Sequence, residues 1–216
     1  PDNLLALLGY AKLLFQRQSY KEAEQRYKEA IRQHPGCSAS VRVGLGLCYY
    51  ELGKKEKNPG KIKKARKCFE RALDLDPNEV NALMALVVMD LADAAQIEDD
   101  YDDTLMPSGN EVQKEKQNKT EIIARAIGRL QKAYELEDKN PNVLNHLANH
   151  YFIRNDYKMA FDLARKSSGA LKKKGKYRKG VYKSIEAECF YNLARCQHLE
   201  AANSADSKQQ KMKKYE

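Results

Sequence analysis

Small and apolar residues recur along this chain three and four positions apart, which gathers them on one face of an α-helix and leaves polar residues on the other. One pattern reads small, three positions, aromatic or Leu, two positions, small. It runs Ala23, Tyr27, Ala30, then Ala65, Phe69, Ala72, then Ala126, Leu130, Ala133, with a weaker fourth copy at Ala160, Ala164 and Ser167. A second pattern falls between these copies: Leu45-Gly46-x-x-Tyr49, Leu147-Ala148-x-x-Tyr151 and Leu193-Ala194-x-x-Gln197. The two alternate, so the chain predicts pairs of antiparallel helices repeated along its length.

From Ala126 to Ala160 is 34 residues, the length of a tetratricopeptide unit. Packing accounts for the residue types. Small residues at Gly46, Ala65, Ala72, Ala148 and Ala160 let paired helices approach closely, and Tyr49, Phe69 and Tyr151 fill the space between one hairpin and the next. Pro35 and Pro77 suit the start of a following helix. Asp76-Pro77 and Asn140-Pro141 read as N-cap plus first turn, and Ser19-x-x-Glu22 as a capping box. The expected fold is all-α, a right-handed α-solenoid of tetratricopeptide-type helical hairpins. It would form a single solenoid over residues 1–216, with units near 4–37, 39–79, 80–140 and 141–170 and a partial unit near 185–216.

Where copies stand too far apart, the excess marks insertions, expected near 54–64, 92–120 and 168–183 as hairpin extensions or loops on one rim. Ala23 to Ala65 is 42 residues and Ala65 to Ala126 is 61. Residues 54–67 are basic and contain the breaker Asn58-Pro59-Gly60. Residues 90–103 carry seven acids, Asp90 and Asp93 among them, and read as solvated. Residues 99–119 read as disordered. Residues 165–183 hold nine Lys or Arg and no acid.

Composition agrees with a helical reading. There are 23 Leu and 24 Ala against 8 Val and 8 Ile, which favours helix over sheet. Net charge is +9 with an isoelectric point near 9.2, compatible with nucleic acid or an acidic partner. The five cysteines include no CxxC pair, which argues against a disulfide framework or zinc ribbon and fits a reducing compartment. No apolar run reaches the roughly 18 residues of a membrane span, so no membrane role is expected. No secretory signal is expected either, and Pro1 at the start reads as a fragment of something longer.

Tests for chemistry yield little. His146 and His150 lie four apart on a helix, but Leu147, Ala148 and Asn149 between them supply neither a base nor a third ligand, so no metal is expected. No phosphate loop, nucleophile elbow or carboxylate pair is present, so neither enzymatic activity nor a cofactor or small-molecule substrate is expected. The basic run containing Lys172, Lys173, Lys174, Lys176, Arg178 and Lys179 offers contacts to nucleic acid or an acidic partner, against the plainer reading of a solvated loop. Arrays of this type bind peptides on their concave face. There, Val43, Leu47 and Tyr50 would supply an apolar groove, and Asn145, His146, Asn149 and His150 would orient the bound segment. None of the concave positions pairs Lys with Asn as chaperone adaptors do. An adaptor in a chaperone or RNA-processing pathway is nevertheless the alternative, beside a nucleic-acid-contacting repeat protein.

Several stretches exceed general repeat consensus. They are His34-Pro35-Gly36-Cys37 with Val41-Arg42-Val43-Gly44-Leu45-Gly46-Leu47-Cys48-Tyr49, and Asn145-His146-Leu147-Ala148-Asn149-His150-Tyr151-Phe152. Glu186-Ala187-Glu188-Cys189-Phe190-Tyr191-Asn192-Leu193-Ala194-Arg195 extends them. Together they resemble the tetratricopeptide scaffold subunit of the Paf complex, the RNA polymerase II-associated elongation factor. The resemblance covers roughly residues 5–90 and 122–200, and the charged insertions are longer than is typical. It implies a nuclear, non-enzymatic scaffold that holds Paf and parafibromin-like subunits, associates indirectly with RNA polymerase II and supports histone modification during transcription.

Overall fold

The computed structural model describes residues 3–97, 109–174 and 183–212, and within these every regular element is helical. The helices are α1 (Leu4–Gln16), α2 (Tyr20–Gln33), α3 (Ala39–Lys55), α4 (Pro59–Leu75), α5 (Val80–Gln96), α6 (Gly109–Leu136), α7 (Pro141–Ile153), α8 (Tyr157–Lys174) and α9 (Lys183–Met212). The fold is a tetratricopeptide-type α-solenoid. It divides into two compact units, Pro1–Arg129 and Leu130–Glu216.

In the first unit the residues of the repeat pattern are the packing residues. Ala23, Ala30, Ala65 and Ala72 are fully buried, Phe69 and Tyr27 nearly so. Two rings sit where a glycine leaves room. A Cβ on Gly44 would fall 2.5 Å from the Tyr27 ring, and one on Gly46 would fall 2.5 Å from Phe69. Tyr27 belongs to α2, so the first contact joins one hairpin to the next, whereas the Phe69 contact closes the α3–α4 hairpin on itself. Any larger residue at Gly44 or Gly46 would have to displace a buried ring.

One hairpin turn is used three times. α1, α3 and α7 each end on a non-glycine residue in the left-handed region: Gln18 (φ 63°), Lys57 (φ 50°) and Asn155 (φ 63°). The N–H of the next residue then reaches back to the last turn, Ser19 to Leu14 O (3.0 Å), Asn58 to Gly53 O (2.9 Å) and Asp156 to Tyr151 O (3.0 Å). This is the Schellman arrangement, which satisfies carbonyls that the helix end leaves open. Ser19 and Asn58 at the same time open the following helix as its N-cap.

Several local expectations change. Ser19 is an N-cap by position, but its side chain makes no capping bond. Asn140 caps α7 through Asn142 N–H at 3.0 Å with Pro141 in the first turn. Asp76 instead closes α4 and accepts from Asn78 N–H (3.0 Å), while Glu79 caps α5, so Pro35 and Pro77 lie in the turns. Asn58-Pro59-Gly60 is no loop: Asn58 accepts from Lys61 N–H at 3.3 Å and α4 begins at Pro59. The first insertion is thus absorbed by lengthening α3 and α4 to 17 residues each. The stretch expected to be disordered is helical from Gly109 onward, as the first part of the 28-residue α6; residues 99–108 lie outside the described residues.

Asp90 is the largest departure from the sequence reading. Counted there with solvated acids, it is 0% exposed at the end of the apolar run of α5. Three arginines reach it. Arg66 Nη1 of α4 donates to Oδ1 at 2.6 Å, Arg125 of α6 donates through Nε and Nη2 at 3.2 Å each, and Arg129 donates to Oδ2. Arg66 also holds Asp93 at 2.7 Å. Burial alone would raise the Asp90 pKa; the Arg125 and Arg66 hydrogen bonds and the nearby guanidinium charges outweigh it and hold the carboxyl below its ordinary range. One carboxylate thereby ties α4, α5 and the middle of α6 together.

In the second unit Ala133, Ala160, Ala164 and Ser167 are fully buried and Leu130 nearly so. Ser167 Oγ donates to Pro141 O at 3.0 Å and Cys189 Sγ to Ala164 O at 3.1 Å. These bonds join α7 to α8 and α8 to α9.

Asp90→Asn leaves three guanidinium groups around a neutral amide. The expected loss in chemical denaturation is about 3 kcal/mol, at the lower end for a broken buried pair because the arginines reach water. Asp93→Asn, at a half-exposed pair, is expected to cost well under about 1 kcal/mol.

Candidate protein-binding surfaces

Helix contacts settle which side of each hairpin faces inward. In the first unit α1 touches α3 and α3 touches α5, while α2 and α4 have no comparable contact; in the second, α7 touches α9. The odd-numbered helices therefore line the inner face of each unit, and side chains on them that are not consumed by packing are the ones a bound segment can reach.

By that standard the expected groove residues divide. Val43 is 5% exposed within the core and is corrected from a contact residue to a packing residue. Leu47 and Tyr50, three apart on α3, are half-buried and remain reachable. Tyr50 opens into a groove of about 310 Å³ between the C-terminal halves of α3 and α5. Its apolar lining includes Ile62, Met89 and Ala92, none of which sequence reasoning selected. Lys54 Nζ stands 5.4 Å from the Tyr50 ring centre.

In the second unit Asn145 is 2% exposed, and its amide donates to Ile185 O at 2.9 Å. It fastens the start of α9 and is likewise corrected to a structural role. His146, Asn149 and His150 are partly exposed on α7. Asn149 Oδ1 accepts from Arg195 Nη2 at 2.5 Å, and the Arg195 guanidinium lies 3.7 Å from the Phe152 ring centre and 5.4 Å from Tyr191. Sequence reasoning missed Arg195 in this role, because the partner of Asn149 lies 46 residues away on another helix. Tyr191 is 66% exposed beside it. Burial lowers the pKa of His146 against a raising pull from Glu188; burial, then the Arg154 charge, lowers that of His150. Both imidazoles are neutral at pH 7 and present polar, uncharged edges.

The basic run lies mostly out of view. Lys172, Lys173 and Lys174 form the end of the α8 backbone, and Lys176, Arg178 and Lys179 lie outside the described residues. Among the described residues no group of three or more His, Cys, Asp and Glu could hold a metal ion, and no helix is long and apolar enough to cross a membrane.

The sequence model of a family described as Tetratricopeptide repeat matches residues 1–36 and, overlapping them, 11–59. Protein CTR9 homolog of Arabidopsis thaliana is 33% identical over 198 residues, 92% of this chain. RNA polymerase-associated protein CTR9 of Caenorhabditis elegans is 29% identical over 203 residues, 93% of this chain. The chain spans 14% of the length of each of these two relatives. Among solved structures, a thermophilic tetratricopeptide-repeat protein of Thermus thermophilus superposes with a TM-score of 0.57 at 13% identity, covering 91% of both chains. MamA superposes with a TM-score of 0.50 at 16% identity, covering 82% of this chain and 83% of that one. At those identities the likeness speaks to the fold alone.

A histidine whose folded pKa is depressed binds its proton more readily when unfolded, so stability falls as pH drops through and below about 6.5. His146→Gln is expected to flatten the loss of urea midpoint between pH 7 and pH 5; an identical pH dependence in the two proteins would contradict a partly buried, neutral His146.

Proposed function

We propose that this chain is a CTR9-like stretch of tetratricopeptide-type solenoid and part of a non-enzymatic scaffold that assembles the Paf elongation complex on RNA polymerase II. The carrying observation is the 33% identity to a CTR9 homologue, sustained over 92% of this chain. The scaffold acts in the nucleus. It holds Paf and parafibromin-like subunits, contacts the polymerase through them, and supports histone modification during transcription.

Mechanically, each unit offers an inner face on which a partner segment lies against its odd-numbered helices. In the first unit such a segment buries apolar side chains on Leu47 and Tyr50. In the second, His146, Asn149 and His150 supply hydrogen bonds to the backbone or polar side chains of the segment lying there. Neutral imidazoles and a fixed amide suit this role, since they give direction without a charge to desolvate.

Leu47→Glu combined with Tyr50→Ser is expected to reduce capture of Paf and parafibromin-like subunits from nuclear extract by about tenfold or more, the effect of losing roughly 1.4 kcal/mol at an apolar anchor. His146→Ala with Asn149→Ala should weaken it further. Lys158→Glu, at an exposed position on α8, should leave capture unchanged. Undiminished capture by the first two variants, or recovery of chaperones or nuclease-sensitive material in place of these subunits, would contradict the assignment.

A further inference from the structure

The basic stretch 54–67 spans the end of α3, a tight turn and the first half of α4, and helix stability does not account for its charge. It holds seven lysines and Arg66 against one acid, Glu56. Arg66 is occupied by Asp90 and Asp93. Glu56 is taken by Lys61 (2.8 Å) and Lys21 (3.6 Å). Lys54 and Lys55 sit in the last turn of α3, where a helix end favours cations. The same preference predicts acids at the start of α4, yet its first turn carries none, and Lys61, Lys63 and Lys64 follow one another there. Like charges thus gather at a helix N-terminus that opposes them, and Lys54, Lys55, Lys57, Lys63, Lys64 and Lys67 are all exposed.

This cationic cluster borders the groove between α3 and α5. Tyr50, Ile62, Met89 and Ala92 form the groove's apolar lining, and Lys54 and Lys57 stand on its rim. Lys57 is presented by the left-handed turn residue itself, and Lys54 is steadied against the Tyr50 ring. The acid on the same rim, Asp93, is held by Arg66. An apolar slot with a positive rim is complementary to a bulky apolar side chain flanked by carboxylates.

We propose that this groove is the docking site for an acidic segment of a partner protein, seated by one large apolar residue on Tyr50, Ile62, Met89 and Ala92 and oriented by Lys54 and Lys57. The inference rests on the scaffold reading above and adds the chemistry of the bound segment. Rim lysines at this exposure speed and orient association more than they tighten it, while the apolar anchor carries affinity.

The test uses the 216-residue chain and short overlapping labelled peptides that tile the Paf and parafibromin-like subunits, titrated by fluorescence anisotropy. The tightest peptides should combine several Asp or Glu with a bulky apolar residue. Lys54→Glu with Lys57→Glu should weaken them about tenfold at low salt, with the difference shrinking as salt rises. Ala92→Trp, which fills the slot from an exposed position, should weaken the same peptides at every salt concentration. Preferential binding of neutral or basic peptides, or affinity indifferent to both variants, would overturn the proposal. So would an RNA oligonucleotide that binds through Lys54 and Lys57 where no peptide does. Tight binding that appears only after the acids of residues 98–103 are replaced by serine would assign the groove to the chain's own acidic stretch and overturn it as well. If intact subunits are captured equally by wild type and by the lysine variant, the scaffold reading stands and the acidic segment falls. If wild type binds neither peptides nor subunits, both fall.

Discussion

Each helical hairpin here is too thin to bury both of its apolar faces, so each must be closed by a neighbour. The closeness of that approach is set by glycine and alanine. Gly44 admits Tyr27 from the preceding hairpin and Gly46 admits Phe69 from its own, while alanines on α2 and α4 leave no exposed surface at the seam. Within each unit the odd-numbered helices adjoin one another, α1 with α3 and α3 with α5 in the first and α7 with α9 in the second. Leu47 and Tyr50 are left partly exposed on this side of the first unit, and His146, Asn149 and His150 on this side of the second.

Two arginine environments show how polar groups are treated in such thin walls. Around Asp90 three guanidinium groups converge on a single buried carboxylate, so that an otherwise costly charge becomes a tie between α4, α5 and α6. Beside Asn149, Arg195 is held by an amide and by the face of Phe152, an arrangement that fixes direction on the inner surface. The first arrangement serves stability and the second belongs to the proposed binding face. Both join residues far apart in the chain.

That separation explains what can be read from the sequence. Short-range regularities are legible: the 3.6-residue period, the small–aromatic–small spacing, and the Asn140-Pro141 cap. All are local consequences of helix geometry. Asp90 misleads because its surroundings in sequence are acidic, whereas its surroundings in space are α4 and α6; a lone Asp closing the apolar run 82–89, with Arg125 and Arg129 one turn apart, is the available signal. Register alone puts Val43 and Asn145 on the groove, and register cannot tell a helix position facing the partner from the adjacent one facing the core. The groove lining at Ile62, Met89 and Ala92 comes from two helices at once, so no single periodicity marks it. Asn58-Pro59-Gly60 looks like a break because its residue types suit loops, but a Pro in the first turn after an Asn cap begins a helix equally well.

The central claim is that a partner protein lies along the odd-numbered helices. Site-specific photo-crosslinking tests it most directly, with a benzophenone side chain placed in turn at Tyr50 and His150, on the inner faces of the first and second units, and at Arg71 and Met159 on α4 and α8. Crosslinks to a Paf or parafibromin-like subunit from the two inner positions, with none from the two outer ones, are predicted. Crosslinks from Arg71 and Met159 alone, or none from any of the four in an intact assembled complex, would contradict it.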